Sequence, residues 1–458
     1  METDTIAAIA TPLGTGGISI IKISGAGSLS AVEAIFQPRN PKRKLREIPR
    51  QTMIYGHIHK IGGGEPVDEV LVAVLRGPHS FTGEDVVEIN CHGGPIVTRI
   101  ILDLLLESGV RLAEPGEFTR RAFLNGRIDL PQAEATIDLI HARTQRAARL
   151  GSRMLKDGMG QKVQSLLKVI DEARIHIEAA IEFGEETDLD VTPQDIQKDL
   201  RNLIVPDVQQ LINAYQQGEW VRHGLRVVLA GKPNVGKSSL MNQLLRQERV
   251  IVTEVAGTTR DTIEEGFEID GVPILLTDTA GLRRSADPIE MMGQAKAQRA
   301  IEQADLILFM IDGSQPLEEA DRDLAEKIDG RPRLILRNKS DLVPNPARRT
   351  GLDRPPPEGY LDISALKGDG LERLKNRILA HVGVSQRMED EACLPNRRQK
   401  ELLEKIHSSL AFALESGQTL ETLAIDLRDC EGYFKQILGI DVDQDVLDAI
   451  FQRFCIGK

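Results

Sequence analysis

One stretch, LRVVLAGKPNVGKSSLMNQLL (225–245), constrains this chain more than any other. LRVVLA is a short apolar run that reads as a buried strand, and SSLMNQLL opens a helix. Between them, Gly231 and Gly236 bracket four residues and are followed by Lys237 and Ser238. Glycines at those places let backbone N–H groups close on phosphate oxygens, and the helix presents its positive end to the same anion. Lys237 then reaches the β- and γ-phosphates and the Ser238 hydroxyl ligates Mg2+. Asn234, Val235, Gly236 and Ser239 complete the cradle. Such a unit belongs to an open α/β sheet that binds its ligand at the carboxyl ends of its strands.

Four companions follow in the order a GTP-binding domain needs. ILLTDTAG (274–281) is a strand ending at Asp278, suited to hold Mg2+ through water, with Gly281 near the γ-phosphate. LILFMIDGS (306–314) is a further buried strand. LILRNKSD (334–341) closes on Asn338-Lys339-Ser340-Asp341. A carboxylate there accepts from guanine N1 and N2, which adenine does not offer in the same pattern. LDISAL (361–366), with Ser364 and Ala365, supplies a last loop whose backbone faces guanine O6. Any one of these is an ordinary turn when met alone. Four in order, each at the end of a strand, predict a Ras-like P-loop GTPase domain over 220–382.

The hydrolytic machinery is less ordinary. Many small GTPases orient the attacking water with a Gln just after the Asp-x-x-Gly motif, and this chain has Leu282 there. An apolar side chain cannot polarise water, so another group must be recruited. EVAGTTRDT (254–262) is the switch candidate, with Thr258 or Thr259 facing Mg2+ and the γ-phosphate. Arg260 is open to two readings, an arginine finger or a solvent-exposed switch residue. Glu290 is one of few carboxylates in the second switch segment.

The flanks read differently. TIAAIAT, ISIIKIS, MIYGHIH, VLVAVLR and VVEINCH are predicted strands, interleaved with predicted helices SLSAVEAIF and IVTRIILDLLLESG. They make residues 1–122 a separate α+β domain. His92-Gly93-Gly94-Pro95 is either a ligand loop or, more commonly, a strand-to-helix turn. From 123 the pattern is helical. Apolar residues at 163, 166, 167, 170, 173, 177, 180 and 181 form one stripe, Leu403, Ile406, Leu410 and Leu414 a second, and Leu420, Leu423, Leu427, Phe434 and Ile437 a third. The economical reading is a helical domain in two pieces, 123–219 and 383–458, interrupted by the inserted GTPase domain. The fold class is multidomain α/β.

Net charge is −12, from 57 basic and 69 acidic residues, which disfavours a purely electrostatic nucleic-acid binder. Basic character is local: PRNPKRKLREIPR (38–50), and Arg143, Arg146, Arg149 and Arg153, spaced by three and four as on one helix face. The four cysteines, Cys91, Cys393, Cys430 and Cys455, have no metal-site spacing. No signal-type start and no bilayer-length apolar run is present, so the expectation is a cytoplasmic protein without a membrane segment. The terminal FCIGK places Cys455 where a lipidation box would, but Gly457 and Lys458 do not fit that box. Leu447, Phe451 and Cys455 fall four apart, so a helical tail with a buried cysteine is the bland alternative.

Taken over its whole length, the chain resembles the bacterial and organellar tRNA-modification GTPases called MnmE or TrmE. The resemblance rests on ATPLGTGGISIIKISG, SFTGEDVVE, HGGP, PGEFTRRAFLNGRIDLPQAEA, AGTTRD, DTAGLR and the terminal FCIGK, which is a family signature and displaces lipidation. It implies an N-terminal domain that binds a tetrahydrofolate one-carbon donor (methylene- or formyl-tetrahydrofolate) and forms a constitutive homodimer. The implied folate contacts are Lys22, Glu84, Arg127 and Lys458. Lys22 and Arg127 keep the family's charge while exchanging its residue types, and Lys22 lacks the bidentate fork of arginine. It also implies an FAD-dependent partner, MnmG (GidA), in a heterotetramer or larger complex that installs an aminomethyl-type group on C5 of the wobble uridine of certain tRNAs. The resemblance also implies an answer to the Leu282 problem: a K+ ion held by Asn234 and by the carbonyls of Thr253, Val255 and Thr258, with Mg2+ on Ser238 and Thr259. The implied water-orienting carboxylate is Glu290, and Cys455 is either chemical or structural.

Two rivals come from other classes. A ribosome-assembly GTPase acting as an rRNA-binding switch would share the P-loop and NKSD but lack the folate-type domain and the tail. A folate-binding protein with a dead GTPase domain is opposed by intact Lys237, Ser238 and Asp278.

Overall fold

The computed structural model describes residues 4–48, 51–183, 192–248, 250–251, 265–278, 298–342, 359–383, 393–415 and 417–458. They form two compact units: Met1–Ile137, Met154–Pro206 and Leu402–Lys458 make the first, and Asp138–Arg153 with Asp207–Glu401 the second.

The first unit holds a seven-stranded sheet. Its strands are β1 (Ile6–Ile9), β2 (Ile18–Ser24), β3 (Phe36–Pro38), β4 (Thr52–His59), β5 (Pro66–Leu75), β6 (Val86–His92) and β7 (Arg111–Leu112). They run in the order β3-β4-β5-β6-β2-β1-β7. Period-two alternation puts Ile21, Ile23, Ile54, Ile58, Val70, Val72, Val87 and Ile89 into one core. Helices α1 (Ser28–Ile35) and α2 (Pro95–Glu107) close it with Leu29, Val32, Ile101 and Leu105. The HGGP segment is a strand-to-helix turn: β6 ends at His92 and Pro95 opens α2. Gly93 is required there, since a Cβ would sit 2.7 Å from the Gly16 carbonyl carbon.

Helices α3 (Glu117–Leu124), α4 (Leu130–Ile140), α5 (Gln145–Asp157), α6 (Met159–Phe183), α7 (Pro193–Asp199) and α8 (Val205–His223) follow. The α6 stripe is buried at Val163, Leu166, Leu167, Ile170, Ala173 and Ile177, while Ile181 is exposed. Its partner in the first unit is the helix Leu420–Leu438, whose Leu423, Leu427, Cys430, Phe434 and Ile437 are buried. Arg174 of α6 pairs across to Glu431. One sequence expectation needs correction, and one alternative falls. Arg143 precedes α5 and is not on its face, because Thr144 caps the helix through an Ala147 N–H donated to its hydroxyl at 3.2 Å. Cys455 is exposed, not buried, since the last helix, Gln444–Phe451, tightens into i→i−3 bonds at Arg453 and Phe454 and turns Phe454 inward instead.

The second unit carries β8 (Leu225–Ala230), β9 (Val250–Ile251), β10 (Glu265–Ile269), β11 (Val272–Asp278), β12 (Leu306–Asp312), β13 (Arg333–Asn338) and β14 (Leu361–Asp362). Their order is β14-β13-β12-β8-β11-β10-β9. β8 pairs in parallel with β11 on one side and β12 on the other, so the sheet reverses its build direction beside β8. Ligands of open α/β sheets bind at such a switch point. The helices are α9 (Lys237–Gln247), α10 (Glu319–Lys327) and α11 (Leu371–Val382), with α12 (Arg397–Ala413) shared between the units. The chain passes between the units within α4, α5, α8 and α12, never through a loop.

Candidate functional site

In the second unit, β8 feeds the loop 231–236 and α9 starts at Lys237 with Gly236 as its N-cap. Gly231 and Gly236 adopt φ of +154° and +102°, and Asn234 reaches +63°. A side chain on Gly236 would collide with the Asn338 amide. Lys237 is 4% exposed and donates to the carbonyls of Gly231 (2.8 Å) and Lys232 (2.7 Å), so its ammonium is already folded over the loop. Ser238 Oγ donates to Asp278 Oδ2 at 3.3 Å, which joins two hard oxygen donors of the kind Mg2+ takes.

The guanine corner is tied to this loop by one side chain. Asn338 Nδ2 donates to Val235 O at 2.7 Å, and Asn338 Oδ1 accepts the Ala365 N–H at 2.8 Å. A single buried amide therefore joins the phosphate loop, the NKSD strand end and the last loop. Asp341 accepts from Ser364 Oγ at 2.8 Å. Lys339 is held by Asp312 at 2.6 Å. Burial pushes the Asp312 carboxyl up, but donation from Lys339 and Ser314 outweighs it and leaves it below the usual carboxylate range. Asp312 was read from the sequence only as the end of a buried strand; its position opposite the NKSD lysine follows from the β12–β13 pairing. Asn234 and Ser239 are exposed beside the loop. Thr253, Val255, Thr258, Thr259, Arg260, Gly281, Leu282 and Glu290 lie outside the described residues.

In the first unit, the loop 80–84 is a hub for the other set of sequence-named residues. Glu84 accepts from Ser24 Oγ at 2.7 Å and from Arg121 at 3.3 Å. Arg121 is 4% exposed and is shared with Asp4 (2.7 Å) and Glu117 (2.9 Å). Arg127, exposed, donates from Nε to Ser80 O at 3.3 Å. Lys22 stands 4.9 Å from the Phe81 ring centre and 5.5 Å from that of Phe118, with Glu88 at 4.0 Å. Burial, helped by the neighbouring Lys458 and opposed by Glu88, pulls the Lys22 ammonium below its ordinary value. Lys458 arrives from the end of the chain. Gly116 N–H donates to Cys455 O at 3.5 Å, and Gly457, at φ +94°, lies on β1 where a Cβ would be 2.6 Å from Ile9 O. Lys22, Glu84, Arg127 and Lys458 are thus gathered around one loop. Ser24, Thr82, Phe81, Phe118 and Arg121 join them without having been singled out in the sequence. No local signal marks them: α3, EFTRRAFL, mixes polar and apolar residues, and Arg121 finds its partners only through tertiary packing.

A mixed, largely parallel sheet with a phosphate-cradling loop at its switch point and an Asn-Lys-Ser-Asp corner defines a P-loop GTPase fold. Comparison with known proteins narrows this. Residues 5–127 match the family described as GTP-binding protein TrmE N-terminus, and residues 130–455 match the MnmE helical domain. The chain is 42% identical to the tRNA modification GTPase MnmE of Carboxydothermus hydrogenoformans, over 100% of both chains. It is 42% identical to that of Moorella thermoacetica, again over 100% of both, and 41% identical to that of Clostridioides difficile over 99% of each. The chain belongs to the MnmE family of tRNA modification GTPases.

Proposed function

We propose that this tRNA modification GTPase works as a cytoplasmic homodimer with an FAD-dependent partner of the MnmG (GidA) type. Together they add a (carboxymethyl)aminomethyl group to C5 of the wobble uridine of certain tRNAs, drawing one carbon from a methylene- or formyl-tetrahydrofolate. The observation that carries the reading is the gathering of Lys22, Glu84, Arg127 and Lys458 around loop 80–84, in a unit other than the one that holds the GTPase motifs. Three cations suit an anionic folate. Glu84, fixed by Ser24 and Arg121, offers an acceptor to the donor edge of a pterin. The exposed Cys455 thiol stands at the same end of the tail, and we assign it a chemical role. The four parts 1–122, 123–219, 220–382 and 383–458 are proposed as the folate, helical, GTPase and returning helical portions.

In the GTPase unit, Lys237 and the backbone of 234–239 bind the phosphates, Asp341 with Asn338 and Lys339 selects guanine, and Ser364 and Ala365 complete the base pocket. Ser238, Thr259 and Asp278 are a donor set that fits Mg2+, and Asn234 with the carbonyls of Thr253, Val255 and Thr258 is one that fits K+. When bound, these cations supply positive charge opposite that developing on the phosphates. Glu290 orients the water, with Thr258 and Gly281 beside the γ-phosphate. The rRNA-switch alternative loses its ground, because the matched family spans the non-GTPase regions as well. Among the described residues no helix is long and apolar enough to cross a membrane.

The test is nucleoside analysis of bulk tRNA from cells lacking this protein. The modified wobble uridine should vanish and return with the wild-type gene. Unchanged modification in its absence would rule the reading out.

A further inference from the structure

The arginine-bearing helix α5 has no role in either site, yet its first turn is joined to the GTPase sheet. Thr144, 5% exposed, donates its hydroxyl to Gly271 O at 2.8 Å while accepting the Ala147 N–H that starts α5. Arg146 donates to Asp270 O at 3.4 Å, and its Cβ would lie 2.7 Å from any Cβ on Gly271. Asp270 and Gly271, at φ +47° and +81°, are the tight turn between β10 and β11. The contact is therefore with a turn that cannot yield by changing its own shape.

That turn sits at a telling place. β11 runs seven residues from Val272 to Asp278, roughly 23 Å at strand rise. Its far end is the carboxylate that meets Ser238 in the phosphate site. Asp278 and the turn residue Gly271 thus stand at opposite ends of one strand, and a shift of β11 as a body would move both. On the other side, α4 and α5 are tightly joined, since a Cβ on Gly151 would be 3.0 Å from Leu139. The α4 end is anchored through Asp138, which accepts from Arg222 at 2.7 Å. α5 then continues without a break into the first unit at Met154.

We propose that Thr144 and Arg146 are positioning residues through which the β10–β11 turn reports the nucleotide state to helix α5, and so along the chain to the unit holding the Glu84 loop. One hydroxyl serves both the turn and the helix cap, so the two cannot move independently while it is in place.

The experiment uses the full-length protein with K+ and Mg2+, comparing amide exchange over residues 145–157 in the GDP state and in the GDP–aluminium fluoride state. Wild type should show a clear difference between the states. Thr144→Val should shrink it by about threefold and lower tRNA modification by about fivefold, with GTP hydrolysis within about twofold of normal. Thr144→Ser, which keeps the hydroxyl, should restore both the exchange difference and the modification. If Thr144→Val proves unstable, Arg146→Ala, which removes a half-buried guanidinium, serves as the same test with a smaller effect. A wild-type α5 indifferent to nucleotide would overturn the proposal, as would a Thr144→Val or Arg146→Ala protein that keeps both the full difference and normal modification.

Discussion

The two sites are built in opposite ways. The phosphate site is contiguous: Gly231 to Ser239 supply most of it, and Asn338 fastens the remaining loops to it. The cluster around loop 80–84 draws on residues 22, 84, 127 and 458, so nearly the whole length of the chain separates its members. In the first, local backbone geometry makes the site. In the second, closure depends on long-range packing, above all on the terminal segment reaching β1. A local site fails when its own atoms change. A gathered site also fails when a distant support is lost.

The largest expected effect breaks only the local site. Lys237→Ala removes the one ammonium folded over the loop, and GTP hydrolysis should fall by about a thousandfold or more. Folate affinity, measured by calorimetry, should be unaffected. A parallel loss of folate binding would show that the two sites are not separately built.

The next effect strikes the support of the gathered site. Glu117 is 3% exposed and lies between Arg111 (2.6 Å) and Arg121 (2.9 Å). Burial pushes its carboxyl up, but donation from Arg111, the Glu114 N–H and Arg121 wins and holds it below the ordinary range. Its contribution to stability is thus full above roughly pH 4 and is lost as pH falls through the lowered native value. Glu117→Gln should remove one of the three carboxylates that Arg121 meets, leaving Asp4 and Glu84, and destabilise the first unit by about 2 kcal/mol near neutral pH. The variant should also lose part of the wild type's sensitivity to acid. Equal urea midpoints for variant and wild type at pH 7 would contradict this.

This contrast also decides what the sequence could reveal. The GTPase motifs were legible because each is a short spacing at a strand end, and the described β8, β11, β12 and β13 lie where those spacings put them. The strands of the first unit were legible from alternation. β3 and β7 were not, being three and two residues long and too short to carry a period. Arg121 was invisible as a support because nothing local says that it turns inward to Asp4 and Glu84. The bland alternative for Cys455, a buried helical residue, fails for the same reason: a four-residue spacing predicts a face only while the helix lasts, and this one ends at Phe451. Thr144 went unread, because the spacing of Arg143, Arg146, Arg149 and Arg153 suggested one helix face running straight through it.

A smaller effect sharpens the local side. If Asn234 with the carbonyls of Thr253, Val255 and Thr258 holds K+, as proposed, replacing K+ by Na+ at equal ionic strength should slow GTP hydrolysis by about tenfold or more. Na+ is too small for carbonyls spaced to replace the hydration of K+. Equal rates in the two salts would remove the cation from the reading while leaving the guanine and phosphate contacts intact.

The smallest expected effect tests closure of the gathered site at its most distant member. Gly457 holds φ +94°, and any side chain there meets Ile9 O at 2.6 Å and Ala10 Cα at 2.9 Å. Both obstacles are backbone, the last residue of β1 and the one after it, so neither can rotate away; the tail must lift instead. Gly457→Ala should therefore withdraw Lys458 from beside Lys22 and weaken formyl-tetrahydrofolate binding by about tenfold, the worth of one partly screened cation. Removing the neighbouring positive charge should also let Lys22 hold its proton to higher pH, detectable as an upward shift in its NMR titration. The thermal transition and GTP hydrolysis should hardly change, because Phe454, not Gly457, anchors the tail in the core. Unaltered folate affinity together with an unshifted Lys22 would mean that the tail end is carried along by Phe454 and contributes nothing to the pocket.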